Sequence, residues 1–190
     1  MGQAAMTLSR AMGLEKPQTL ALRELIDAEA LRQRLSALAR ETAEPASLRP
    51  GGLTLIKQAF QEGREKVRYA VEKEGLPGLA AARALSQLQD TVIQVIYDFA
   101  TVHVYRARNP SSAERIAVVA TGGYGRGELA PGSDIDLLFL RPFKQTAWGE
   151  SVIEFILYML WDLGLKVGHA TRSLAESVRL AKAMAERVAA

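Results

Sequence analysis

The sequence contains no cysteine, which excludes a disulfide framework, a cysteine-ligated zinc site and a thiol nucleophile. A reducing compartment is compatible with that. No apolar run approaches the roughly 18 residues needed to cross a bilayer, so no membrane partner is expected. The first residues lack the apolar centre and cleavage site of a secretory signal. Gly2 follows Met1, but position six is Met6 rather than Ser or Thr, so the N-acylation pattern fails. Together these absences make a cytoplasmic location the expectation. Charge of one sign is also scarce: 24 Lys and Arg stand against 21 Asp and Glu, a scattered net charge of +3. A nucleic-acid binder would show a denser basic stripe, so no nucleic acid is expected, whereas a nucleoside triphosphate fits.

What is present is ordinary for a globular chain: 190 residues, 48% hydrophobic and 24% charged. That length suits one domain, or a domain with a helical extension. Residues 1–18 carry Gly and Pro without a steady period and read as a leader. From 20 to 40 the apolar positions Leu22, Leu25, Ala28, Leu31, Leu35 and Leu38 recur every three or four residues, which predicts an amphipathic helix. Pro45, Pro50, Gly51 and Gly52 are expected to break it over 44–52. A second helix is predicted over 53–74, ending at Gly75-Leu76-Pro77-Gly78, and a third over 79–105 with Leu85, Leu88, Val92, Val95, Ile96 and Phe99 facing inwards. The helical region is thus 19–110. Over 111–190 the pattern changes: strand 115–121, a glycine-rich turn over 122–133, strand 134–140, helix 148–162, strand 165–171 and helix 173–188 with Ser173 as N-cap. The fold class is α+β, a small mixed β-sheet covered by helices with an N-terminal helical extension.

The candidate site is TGGYGRGELAPGSDIDLL, residues 121–138. Gly122, Gly123, Gly125 and Gly127 crowd the end of a buried strand, where bare backbone N–H groups can cradle an anion. Arg126 adds a planar cation suited to phosphate oxygens. Asp134 and Asp136 stand two apart on a predicted strand, so both project to one face while Ile135 points into the core. Two carboxylates beside a buried strand are costly to desolvate unless paired or metal-bound. Hard cations such as Mg²⁺ take a few carboxylates plus substrate phosphates. The expectation is Mg²⁺ on Asp134 and Asp136, with a triphosphate on the Gly122–Gly123 turn and Ser133 able to donate to a phosphate oxygen.

These residues resemble the nucleotidyltransferase superfamily that includes DNA polymerase beta, with its glycine pair followed by Asp-x-Asp on the next strand. GGYGRGELAPGSDIDLLFL together with the downstream LWDLGLKVGHATRS is more closely similar to the bacterial bifunctional uridylyltransferase/uridylyl-removing family. The resemblance implies transfer of UMP from UTP to a tyrosine of the PII signalling protein, with release of pyrophosphate. It also implies HD and ACT domains that this chain does not include. Gly122 and Gly123 would hold the triphosphate, and Asp134 and Asp136 the metal. One departure stands out. The superfamily usually supplies a third carboxylate from a later strand, and strand 165–171 has none, so that group is expected beyond Ala190; Asp162 and Glu176 are weaker candidates. An adenylyltransferase acting on another acceptor, or a non-catalytic docking fragment, are the rival readings.

Other residues have plainer readings. Glu128 reads as a packing or helix-forming residue, His169 as structural, and His103 as packing or surface. Lys166 and Arg172 read as solvated charges, Trp161 and Tyr158 as core or helix packing, and Arg64, Lys66 and Arg68 as a solvated helix face among glutamates. No serine–histidine–acid triad can be argued for Ser133.

Overall fold

The computed structural model describes residues 25–42, 45–107, 111–142 and 145–189. The expected leader, and the first residues of the expected first helix, lie outside them. Helix α1 spans Ala28–Glu41 and is restarted by its cap: the Asp27 side chain accepts from Ala30 N at 2.9 Å. The single helix expected over 20–40 is therefore interrupted at Ile26–Asp27. Leu31 and Leu35 form its buried stripe.

Helix α2 spans Pro45–Glu74 and carries Pro50 inside it. The preceding helix does end, at Glu41 with Thr42 extended, but residues 45–52, expected to be part of the break, are helical. The reason is tertiary. A Cβ on Gly52 would collide with the Phe99 ring, and one on Gly51 would press on Leu38 at 3.0 Å. The small residues let α2 lie directly on its neighbours, and that packing overrides weak local propensity.

Helix α3, Gly78–Phe99, is the central element; Leu88, Val92, Val95 and Ile96 are fully buried, with Leu85 partly so. It runs on into a π-helical turn, Ala100–Val104. A short 3₁₀ turn, Ser112–Glu114, closed by a capping box between Ser111 and Glu114, leads into the sheet.

Strand β1 is Ala117–Thr121, β2 is Ile135–Arg141 and β3 is Val167–Ser173. The sheet order is β1-β2-β3, with β1 antiparallel and β3 parallel to the central β2. It is the small mixed sheet the sequence suggests, though β1 and β3 each begin two residues later than expected. Along β2, Ile135, Leu137 and Phe139 are buried and Asp136 is exposed. Helix α4, Gly122–Gly125, joins β1 to the loop before β2. Helix α5, Ala147–Asp162, capped by Thr146, makes the crossover from β2 to β3. Helix α6, Leu174–Ala189, follows β3 directly. Ser173 caps its start as expected, and Glu176 makes the cap reciprocal: Glu176 N donates to Ser173 Oγ and Ser173 N donates to Glu176 Oε2. One continuous apolar core joins α1, α2 and α3 to the inner face of the sheet and to α5, with Phe99 against Phe155 at 6.1 Å between ring centres. No helix among the described residues is long and apolar enough to cross a membrane.

Candidate nucleotide site

The site forms where β1 ends and β2 and β3 begin. The antiparallel register sets Thr121 opposite Asp136, and the parallel register sets Gly168 opposite Asp136. Cross-strand partners project to the same face, so a side chain at position 168 would share the Asp136 face. Position 168 is a glycine, and a Cβ there would lie well under 3.0 Å from Asp136 Oδ1. On the other side a Cβ on Gly122 would lie 2.8 Å from Asp136 Oδ2. The Asp136 carboxylate therefore occupies a slot whose two walls are glycines. Gly122 has a second requirement: its φ of +62° is left-handed, a conformation that costs other residues about 1–2 kcal/mol.

Gly122 and Gly123 open α4, and the first N–H groups of a helix have no partner within it. The bonds that close the turn come from later residues: Arg126 N and Glu128 N donate to Gly123 O, and Gly127 N to Tyr124 O at 2.9 Å. Gly125 is held tight against β1, since a Cβ there would meet Ala120 O at 2.7 Å. Gly123 differs from the other two. Its φ is not left-handed, and a Cβ would find only Arg126 Nη2 and Glu128 O, both at 3.8 Å. Arg126 folds back over the turn and donates from Nη1 to Gly122 O at 3.0 Å.

Asp134 is exposed and lies one residue before β2, whose first N–H, from Ile135, donates to Lys166 O at 2.9 Å. Neither Asp134 nor Asp136 has a salt bridge or a side-chain hydrogen bond among the described residues. Ser133 is engaged elsewhere: its Oγ donates to Ala130 O at 2.8 Å and closes the loop, so its proton is not free for a phosphate in this arrangement. Glu128 is exposed and non-helical rather than a packing residue. Of the two readings of Trp161 and Tyr158, the structure gives helix packing rather than core: they are 43% and 49% exposed, pack edge to face on each other, and Arg49 of α2 lies over the Tyr158 ring. His169 packs its ring against Trp161. It follows Gly168 in β3 and so projects to the opposite face of the sheet from Asp136.

The two acids weighed as a third carboxylate have structural work. Asp162 pairs with Arg49. Glu176 caps α6 and lies near Arg141, at the far end of β2 from Asp136. Its carboxyl is held below the usual range by the Ser173 hydrogen bonds. No group of three or more His, Cys, Asp or Glu able to hold a metal occurs among the described residues. What the residues do offer a metal is the open Asp136 slot next to Asp134, two unpaired hard oxygen donors.

Three participants escape a reading of the sequence. Gly168 is one; a glycine inside a strand is a known sign of close approach by another group. Asp90 and Ser86 of α3 are the others. Tyr124 is buried and donates its hydroxyl to Asp90 Oδ1 at 2.6 Å, and Leu129 N donates to Ser86 Oγ at 3.0 Å.

A family model described as glutamate-ammonia ligase adenylyltransferase matches residues 17–155. Two curated relatives, from Caulobacter vibrioides strains NA1000 / CB15N and ATCC 19089 / CIP 103742 / CB 15, are each 53% identical over 162 residues, or 85% of this chain. Both bear the name bifunctional uridylyltransferase/uridylyl-removing enzyme. The matched stretch is 17% of each relative's own length. No solved structure matches.

Proposed function

The chain belongs to the glutamate-ammonia ligase adenylyltransferase family, and we propose from that membership that it carries the nucleotidyl-transferring site of a larger enzyme. The reaction we assign is transfer of UMP from UTP to a tyrosine hydroxyl of the PII signalling protein. The observation that supports the nucleotidyl-transfer reading is the Asp136 carboxylate set between Gly122 and Gly168, beside the N–H groups that open the Gly122–Gly125 turn. The choice of UTP rests on the names of the 53% identical relatives.

In this reading the Gly122–Gly123 backbone seats the triphosphate and Arg126 neutralises part of its charge. Asp134 and Asp136 would hold Mg²⁺, which when bound offsets charge developing at the α-phosphorus and on the departing pyrophosphate. The glycine walls matter because they leave Asp136 reachable from solvent without a side chain in front of it. The acceptor oxygen comes from the partner protein, so no nucleophile is needed from this chain.

The family description itself favours a second reading, adenylyl transfer from ATP. One experiment separates the two. The chain is incubated with Mg²⁺, a PII protein and each labelled nucleoside triphosphate in turn, and binding and label transfer are followed. Selective binding of UTP with label on the PII tyrosine is expected; selective ATP binding would replace the uridylyl assignment, and no Mg²⁺-dependent binding of any triphosphate would remove the nucleotide site.

A further inference from the structure

The glycine turn is not held by the sheet alone. On its sheet side it is fixed by the contact of Gly125 with Ala120. On its other side it is tied to α3 at two points, Tyr124 Oη to Asp90 Oδ1 at 2.6 Å and Leu129 N to Ser86 Oγ at 3.0 Å. Asp90 and Ser86 stand four apart on α3 and so share one side of the helix, one turn from each other. Beyond the Tyr124–Asp90 tie, on the side away from Ser86, the packing opens into a cleft of about 380 Å³ between α3 and β1, lined by Ile93 and Tyr97 on one side and Val118 and Ala120 on the other. Tyr124 and Leu129 are buried in the apolar core that α3 also enters, and the two hydrogen bonds fix where they sit in it.

We propose that Asp90 and Ser86 are positioning residues, through which helix α3 sets the conformation of the phosphate-seating turn. This rests on the nucleotidyl-transfer reading of that turn. Tyr124 is the connecting part. It lies between Gly123 and Gly125, so the direction of its buried ring dictates where the backbone on either side runs. Burial and the neighbouring Asp90 carboxylate hold its phenol neutral, so it remains a donor throughout the working pH range. The ring fills the core with only 4% of its surface exposed, and its single polar atom must find a partner there. Asp90 is that partner. Leu129 N is likewise a buried donor that would be costly to leave unpaired, and Ser86 accepts from it. A shift of α3 against the sheet would thus be passed to Gly123 and Gly125 directly.

The test uses Tyr124→Phe, Asp90→Ala, Asp90→Asn and Ser86→Ala in the full chain. Amide hydrogen exchange of Arg126, Gly127 and Glu128, whose N–H groups close the turn, is read without nucleotide, and affinity for Mg²⁺·UTP and Mg²⁺·ATP is read by calorimetry. Tyr124→Phe keeps the ring and removes one hydrogen bond. It is expected to speed exchange in the turn and weaken triphosphate binding by roughly fivefold to tenfold, while amides in the middle of α3 stay protected. Asp90→Ala should match it, and the double variant should be no worse than either single one. Asp90→Asn, which still offers a carbonyl oxygen, should restore most of the loss. Unchanged exchange in the turn for both Tyr124→Phe and Asp90→Ala would overturn the inference, as would additive effects in the double variant. Faster turn exchange in a protein whose parent binds no triphosphate would uphold the positioning role and sink the nucleotide reading instead.

Discussion

Gly168→Ala separates the site from the fold. The backbone at 168 is not left-handed, so alanine is conformationally allowed, and the strand gains a residue with less entropy to lose on folding. Stability should move by no more than about 1 kcal/mol in either direction. The new methyl, however, is aimed at Asp136 Oδ1 from well under 3.0 Å, where ordinary contact starts at 3.4 Å. Asp136 cannot move its backbone, because Thr121 on one side and Gly168 on the other pair with it in the sheet. Its side chain can rotate, so the carboxylate retreats by about 1 Å towards Gly122 or out of the slot. Displacements of about 1 Å in positioning groups cost on the order of 10²-fold in catalysis, and a comparable loss of Mg²⁺-dependent triphosphate affinity is expected. The assay is paired: a thermal melt and a calorimetric titration with Mg²⁺·UTP. Gly122→Ala should lose both, since it meets Asp136 Oδ2 and also strains a φ of +62°. Parental nucleotide affinity in Gly168→Ala, with the fold intact, would refute the claim that the Asp136 carboxylate must stand where the two glycines let it.

Other substitutions follow from the same geometry. Asp134→Asn and Asp136→Asn should each reduce Mg²⁺-dependent triphosphate binding by at least tenfold, roughly the worth of a charge-assisted contact, with unchanged circular dichroism; retained affinity in both would remove the metal assignment. Gly123→Ala should fold normally, because a Cβ there has 3.8 Å of clearance, whereas Gly123→Val should weaken triphosphate binding by crowding the approach; equal affinity in the valine variant would leave Gly123 a turn residue only. His103 gives a pH dependence: burial, and then Arg40, hold its imidazole below the ordinary value of 6.5. The folded state takes up its proton less readily than the unfolded chain, so the stability this contributes is present above 6.5 and is lost as pH falls through the folded value. Urea midpoints at about pH 8 and about pH 5 should show this slope, and His103→Gln should flatten it.

Much of this was legible because the decisive patterns are local. Ile135, Leu137 and Phe139 alternate with Asp136, and that alternation alone puts the carboxylate on the open face of β2. The inward stripe of α3 follows from a helical period that packing did not alter. The rest depended on partners distant in sequence. Pro50 and Gly52 read as a break, yet α2 runs through them because Gly52 sits on the ring of Phe99. Tyr158 and Trp161 have the spacing of a core stripe, but α5 turns that side outwards. Gly168 acquires its meaning only from the register of β3 on β2, and Tyr124 only from Asp90, 34 positions earlier. No pattern within a single element records such a pairing.

The same division bears on the difference between a family described by adenylyl transfer and relatives named for uridylyl transfer. The features assembled around Asp136 are a close-approaching glycine turn, a guanidinium folded over it and two hard oxygen donors. Each suits phosphate oxygens or a divalent cation, and the triphosphate is identical whichever base it carries. None of them offers a hydrogen-bonding edge matched to uracil or adenine. One phosphate end can therefore serve both chemistries. Discrimination between the bases must then fall to groups beyond the reach of the turn, and mutations in Gly122, Gly123, Arg126, Asp134 or Asp136 should lower UTP and ATP binding by the same factor. A variant at any of these five positions that changed the ratio of the two affinities, rather than their common level, would show that the turn itself reads the base.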